Sequence, residues 1–486
     1  MFRLGKIPKL IQYIFCGSLL GVGFVFPIFW PVVFFGFAWF VFLVAGEKNI
    51  KPVLFLGWLI FTVKALWVNS FFLSIKPSSW IDDSWLVGTL IMVCSWILVS
   101  LCIGLSGLFL AGTISFLNKY LNIIYLGFFV PVLLVVSEVL GSLIFSIISY
   151  GTGSTINANY SFGYVGYLLA QHQLLLTTAS FGGVYFLTFI VAVIGYIFYY
   201  LYTKVSRRKT IIITATFLSI LMLVTFSPEQ ATANKNISVT ILNTKFFADM
   251  RNWSNLSEFV QQEVDQATLS ALETKTDYLV LPEGLHLSKE NIKYHLPNRE
   301  KWPIIVDNGF VEIEPGEFVL RANLYKDLTL VAGLDKQYLV PVGEYTPLVF
   351  VLISKILNFG GYDDSFLNKK NMIARSYLSQ KDLTDDLPAV IFCFDGVKPK
   401  AVKNVLPSYT KVPFVAYPIS HAWFENSKIL ENQIDMMMKV HAVYNQTDIV
   451  SAGNMAEGAL YTKFGKKIKP EVLVETKWWQ IGVVNF

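Results

Sequence analysis

Between Leu10 and Gly46 the chain has no Asp, Glu, Lys or Arg. So long an apolar run is poorly accommodated in water, and about 20 residues of helix are enough to cross a bilayer core. Pro27 and Pro31 stand near its middle, so it reads as two membrane helices joined by a tight turn. Further apolar runs follow at 52–75, 83–113, 122–148, 178–202 and 210–226. The expectation is a membrane domain over residues 1–228 with about seven α-helical spans. A composition of 54% apolar and 15% charged residues in a chain of 486 calls for such a part. Arg3, Lys6 and Lys9 resemble the start of a signal peptide. No small-residue cleavage site follows, so a retained first helix is expected.

Charge orients these spans. Alternate loops hold Arg3, Lys6 and Lys9, then Lys48 and Lys51, then Lys119, then Lys204, Arg207, Arg208 and Lys209; the opposite loops hold Lys76 alone. Lys and Arg collect on the cytoplasmic side, so an odd number of spans delivers everything after about residue 228 to the outer face. The formal net charge of +5 is interspersed with acidic residues, without the basic stripe of a nucleic-acid binder. The outward connector 149–177 lacks Lys, Arg, Asp and Glu and is rich in Gly, Tyr and Ser. It reads either as a polar linker or as an element of the headgroup layer.

Residues 229–486 read as one α/β domain. Short β-rich strings occur at Ile237–Leu242, Tyr278–Leu281, Leu328–Ala332, Ala389–Cys393 and Val412–Tyr417, and an amphipathic helix is expected over Leu256–Glu273. Of four cysteines, Cys16, Cys94 and Cys102 lie in apolar runs, where a thiol packs as a small hydrophobe; only Cys393 belongs to this part. Cys393 closes one strand, and Glu283 and Lys336 follow two others. A thiol becomes a nucleophile when a base takes its proton and a cation steadies the thiolate. A carboxylate and an ammonium can do both without histidine, and the chemistry is then acyl transfer.

The strings around these residues are more specific than the residues alone. Glu283 ends Leu281-Pro282-Glu283, Lys336 opens a string that runs through Val340, Pro341, Val342, Gly343 and Glu344 to Tyr345, and Cys393 stands in Phe392-Cys393-Phe394-Asp395. They resemble the nitrilase, or carbon-nitrogen hydrolase, superfamily. The second is similar to a membrane-embedded family within it, the apolipoprotein N-acyltransferases, where a Lys is followed eight residues later by the Glu of a Val-Pro-Phe-Gly-Glu-Tyr-like string. Ser420 to Phe424, with Trp423, stand where that family has a Ser-Asn-Asp-Xaa-Trp-Phe-like string, and Asn454 to Gly458 and Gly182 to Tyr185 are also similar.

The resemblance covers nearly the whole chain. It implies a nitrilase-like αββα sandwich on the outer face of the cell (inner) membrane, with no cofactor and no metal. It also implies a reaction in which Cys393 takes an acyl chain from a phospholipid as a thioester and passes it to the N-terminal amine of a diacylglyceryl-cysteine apolipoprotein. Glu283 would be the general base. Lys336 would stabilise the thiolate and the oxyanion, and Glu344 would be a second carboxylate orienting Lys336.

Departures from the family are local. Its Cys-Tyr-Glu is Cys393-Phe394-Asp395 here, and its Ser-Asn-Asp-like string is one residue shorter and contains His421. Only Lys477 to Phe486 follow the last strand-like segment, with no terminal span. Two other readings stay open: a membrane-attached amidase whose acyl-enzyme is resolved by water, and a non-catalytic relative that binds acyl chains. Leu348 to Leu357 reads as an interfacial lid or as a core helix. Lys64 and Glu138 lie inside spans, where an unpaired charge costs roughly 2.5–3.5 kcal/mol, and they are expected to pair or share a polar cavity. The family has an Arg where Gly141 stands, so Lys64 would supply the missing cation.

Overall fold

The computed structural model describes residues 8–75, 85–204, 237–247, 254–285, 301–356, 371–372, 384–406, 411–425 and 427–486, and the single residues 212, 216 and 219. The first apolar run is a hairpin of α1 (Lys9–Val25) and α2 (Val32–Gly46), turned by a 3-10 segment at Pro27–Phe29. α3 (Ile50–Val68), α4 (Trp85–Gly104), α5 (Ser106–Leu117), α6 (Ile123–Ile148), the short α7 (Gln173–Thr177) and α8 (Gly183–Lys204) follow. Four stretches, Ile50–Ser74, Gly88–Leu117, Ile123–Ile148 and Gly183–Lys204, are long and apolar enough to cross a membrane. The expected span at 210–226 lies outside the described residues apart from the three single positions.

The run 83–113, expected as one span, forms one long apolar stretch with a single-residue break at Leu105 between α4 and α5. Neighbouring backbones are tight there. A Cβ on Gly57 of α3 would meet the Gly107 carbonyl oxygen of α5 at 2.2 Å, so only small residues fit this crossing. α6 is turned inside out relative to a helix in water. It exposes Ile124, Phe128, Phe129, Val132 and Val136 and buries Ser137, Glu138 and Ser142, the arrangement expected where the solvent is lipid.

The α/β part holds thirteen strands among the described residues. β1 (Ser238–Thr244) pairs with β2 (Tyr278–Val280), which pairs with β3 (Ile304–Glu314), then β4 (Glu317–Lys326) and β5 (Thr329–Asp335). The short β6 (Asn371–Met372) joins β4. β7 (Ala389–Val390), β8 (Val415–Ser420), β9 (Ile449–Asn454), β10 (Ala459–Tyr461) and β11 (Lys467–Ile468) form a second series. A single pair, Thr244 with Asn454, joins the two.

Alternation along β1 and β2 sorts side chains into two layers. Val239, Ile241, Tyr278 and Val280 face the core shared with β8 and β9, whereas Leu242, Leu279 and Leu281 pack with Val260, Val264 and Ala267 of α9 (Ser254–Glu273). α10 (Leu348–Ile356), α11 (Ala401–Val405) and α12 (Lys428–Asn445) complete the described helices of this part. Met436, Met437, Met438 and Val440 of α12 share one core with the strands and with residues of α1, α2 and α8.

One expectation changes and two open readings narrow. The last residues are a strand: β13 (Trp479–Asn485) lies antiparallel along the whole of β1 and also pairs with β12 (Glu471–Glu475). Trp479 and Ile481 face the α9 layer and Val484 the other core, a two-sided pattern too short to stand out. α10 is not a core helix, since Leu348 and Leu352 are exposed and none of Leu348 to Leu352 is buried. The connector 149–177 is neither a free linker nor a surface element along its length. Tyr160 to Ala170 are buried between the helices and the α/β part, where Ser161 donates to the Val397 carbonyl.

Candidate active site

Glu283 follows β2 on a turn that a neighbouring strand clamps. Asn308 of β3 accepts from the Gly284 amide at 2.5 Å and donates to the Pro282 carbonyl at 3.0 Å. Gly284 has φ 79°, a conformation glycine takes without a Cβ clash. Lys336 follows β5, with its amide bonded to the Leu320 carbonyl of β4 at 2.8 Å. The preceding Asp335 is gripped by the Arg321 guanidinium through contacts of 2.5 and 3.0 Å. Cys393 opens the 3-10 turn Cys393–Val397 just beyond β7.

The structure brings the three expected residues and Glu344 together. Lys336, 1% exposed, donates from Nζ to Glu283 Oε1 at 2.8 Å and to Glu344 Oε1 at 2.7 Å. The other Glu344 oxygen accepts from the Val340 amide at 2.7 Å, which closes the strap between Lys336 and Tyr345 on itself. Cys393 Sγ lies within the electrostatic field of Glu283 and Lys336 and donates weakly to the Ser420 carbonyl at 3.6 Å.

Electrostatics follow from this crowding. Burial would strip the proton from Lys336, but the charges of Glu283 and Glu344 outweigh it and hold the ammonium well above its usual range. Burial pushes the Cys393 thiol up, the Glu283 carboxylate adds to that, and the Lys336 ammonium opposes it. Glu283 is also raised, first by burial and then by Glu344 against the pull of Lys336. A free thiolate would add a second uncompensated negative charge. Moving the thiol proton to Glu283 leaves the net charge of the cluster unchanged, so attack coupled to that transfer avoids the penalty.

Asp395 does structural work that its position in the string did not disclose. Its Oδ1 accepts from the Tyr338 amide at 2.7 Å and its Oδ2 from the Phe392 amide at 3.2 Å, tying the Cys393 turn to the strap after Lys336. Phe394 is half-buried beside Tyr338 in a cleft. Trp423 lies on the 3-10 turn Ala422–Phe424 that follows Ser420. Lys64 and Glu138 meet in the helical part at 2.8 Å, and Glu138 also accepts from the Val165 amide at 2.9 Å and the Thr188 hydroxyl at 2.8 Å.

One supporting group had no functional signal in the sequence, and another stood only in a string similar to the family's. Tyr417 of β8 donates to the Cys393 carbonyl at 2.8 Å, and Asn454 donates to Ser420 Oγ at 3.3 Å. Tyr417 ends a string that read as a plain strand, whereas Asn454 opens the Asn454 to Gly458 string. Among the described residues no group of three His, Cys, Asp or Glu side chains is placed to hold a metal ion.

No protein-family model matches the chain. Two curated proteins are similar in sequence. Apolipoprotein N-acyltransferase of Aquifex aeolicus (strain VF5) is 24% identical over 313 residues, covering 63% of this chain and 66% of that protein, just under two thirds of its length. Apolipoprotein N-acyltransferase of Rickettsia prowazekii (strain Madrid E) is 23% identical over 484 residues, covering 95% of this chain and 90% of that protein. Among solved structures, a variant of the Nesterenkonia AN1 amidase from the nitrilase superfamily is 12% identical, covers 51% of this chain and 92% of its own, and has a TM-score of 0.29. A glutamine-dependent NAD+ synthetase from Acinetobacter baumannii is 14% identical, covers 51% of this chain and 45% of its own, and has a TM-score of 0.30.

Proposed function

We propose that this chain is a membrane N-acyltransferase that moves a fatty acyl group from a phospholipid, through a thioester on Cys393, to the amino terminus of a diacylated apolipoprotein. The observation that carries the reading is one buried ammonium, Lys336, held between Glu283 and Glu344 with the Cys393 thiol in its field. The two relatives named apolipoprotein N-acyltransferase support the substrate class. A site packed against apolar helices suits substrates that are themselves anchored lipids.

In the first step the Cys393 proton passes to Glu283 as Sγ attacks the ester carbonyl of the donor. The C–O bond breaks, the alcohol leaves with the proton from Glu283, and lysophospholipid is the product. In the second step the apolipoprotein amine attacks the thioester and loses its proton to Glu283, which passes it to Sγ as the C–S bond breaks, so that both the thiol and the carboxylate are restored. Lys336 and backbone amides at the start of the 3-10 turn would face the oxyanion in both steps. The Lys and Arg asymmetry of the loops supports a site on the outer face of the cell membrane, carried by residues after about 228.

Purified full-length protein incubated with phospholipid alone is expected to gain one acyl mass on Cys393, released by hydroxylamine. Cys393→Ala should abolish the label, and Glu283→Gln should slow it on the order of a hundredfold or more, as loss of a general base does. Added diacylated peptide should then acquire the acyl group as an amide. Release of free fatty acid in its place would make the protein a hydrolase. Lipid binding with no acylation would make it a binding protein.

A further inference from the structure

A narrow cleft, partly open to solvent and with a cavity volume of about 40 Å³, lies beside the Cys393 turn. One wall is the outer end of α6 with the start of the connector, including Phe145, Ser146 and Asn159; the other is formed by Tyr338, Leu339 and Lys398. Phe394, next to Cys393, also lines it. Lys398 is the only charged side chain among the lining residues. Its Nζ donates to the Tyr338 hydroxyl at 2.6 Å and lies 4.4 Å from the centre of that ring. The Asn404 amide oxygen, in its satisfied orientation, accepts from the same Nζ at 2.7 Å.

Both partners are neutral, and an ammonium has three protons to give. Among the described residues no carboxylate forms an ion pair with Lys398, although Asp395 lies within electrostatic reach. Burial consequently pulls the ammonium down from its usual range, with Asp395 only partly opposing. The Tyr338 hydroxyl is equally primed. It accepts from Lys398 and from the Asn159 amide at 2.6 Å, so both lone pairs are taken and its own proton is left to donate. A half-buried cation and a directed hydroxyl make a place for a single negative charge shared over two acceptor oxygens. The apolar side chains of Phe145 and Leu339 make it a place for an anion attached to an aliphatic body.

We infer that Lys398 and Tyr338, with Asn159 behind them, form a phosphodiester subsite that holds the headgroup phosphate of the acyl donor while its ester lies over Cys393. A phosphodiester carries one charge on two non-bridging oxygens, matching one ammonium and one hydroxyl. The end of a membrane-crossing helix in the wall places the subsite at headgroup depth. A peptide carboxylate is less well served, because its polar backbone would meet Phe145 and Leu339. The inference rests on the acyl-transfer reading for the role of the ligand but not for its binding.

The test has a binding arm and a turnover arm, both on the full chain in detergent. For binding, native mass spectrometry of Cys393→Ser compares phosphatidylethanolamine with diacylglycerol of the same chains, with inorganic phosphate as competitor. Phosphatidylethanolamine should be preferred, Lys398→Ala should abolish the preference, and Lys398→Arg should largely keep it. For turnover, Lys398→Ala should raise the half-saturating phospholipid concentration about tenfold more than that of a phosphate-free activated ester, the size of one charge-assisted hydrogen bond. Tyr338→Phe should act in the same direction and less. A lipid preference untouched by Lys398→Ala, or equal losses with both donors, would overturn the subsite. Displacement of the bound lipid by millimolar inorganic phosphate would show a general phosphate site instead of a headgroup site. If wild type is never acylated yet the Lys398-dependent preference stands, the subsite holds and the transferase reading falls.

Discussion

Glu283 and Glu344 share one ammonium, so the cluster around Cys393 carries an excess negative charge whenever both are ionised. Burial first, and Glu344 after it, keep the Glu283 carboxyl above the ordinary glutamate range. A base must be ionised to act, so thioester formation should fall as pH drops through that raised value. Glu344→Gln removes one raising charge, and the acid limb of the profile should move to lower pH. The pH dependence of single-turnover acylation measures this, and a limb that stays in place after Glu344→Gln belongs to some other group. Glu283, Lys336, Glu344 and Cys393 were readable because each sits in a short string whose neighbours are also informative. The grip of Asp395 on the Tyr338 amide was not readable, since it joins residues separated by 57 positions through the backbone of one of them.

Elements show the same division between local and tertiary information. Among the described residues, hydropathy alone placed the helices of five apolar runs, because lipid-facing side chains make the whole segment apolar whatever it packs against. By contrast, β13 depends on the central strand it pairs with, a condition not written in the segment itself. The link between α3 and α6 is a case where chemistry did show through, because two charges in apolar runs need each other. Side chains of Lys64 and Glu138 are 8% and 2% exposed, and Glu138 also holds the Val165 amide of the connector. Removing one member leaves the other buried without its partner, so Lys64→Met or Glu138→Gln alone should each destabilise by about 3–5 kcal/mol. The double variant should lose clearly less than the two together. Thermal unfolding in detergent gives the cycle, and strictly additive losses would mean that the two charges do not couple.

At the scale of the molecule, one contiguous apolar core runs from α1, α2 and α8 through α12 into the strands. Directed bonds lock the two parts across it. Gln433 donates to the Val68 carbonyl at 2.8 Å, Tyr345 to the Ser149 carbonyl at 2.8 Å, and the Leu348 amide to the Tyr150 carbonyl at 2.8 Å. The last two tie the strap that carries Glu344, and the start of α10, to the C-terminal end of α6, so the strap cannot move far without the helix. Substrate entry should then depend on local movement beyond that tie, not on the α/β part lifting off the helices. Ser74 Oγ and Ser427 Oγ, 3.0 Å apart at another point of the seam, offer a way to ask. Paired as Ser74→Cys and Ser427→Cys, they should form a disulfide on mild oxidation, seen as a mobility shift, since neighbouring side chains this close fall near disulfide reach. Acylation of Cys393 should proceed in the locked protein at the rate of the reduced one. A locked protein that is silent until a reductant is added would mean that the seam itself opens during each turnover, and the bonds across it would then be a latch.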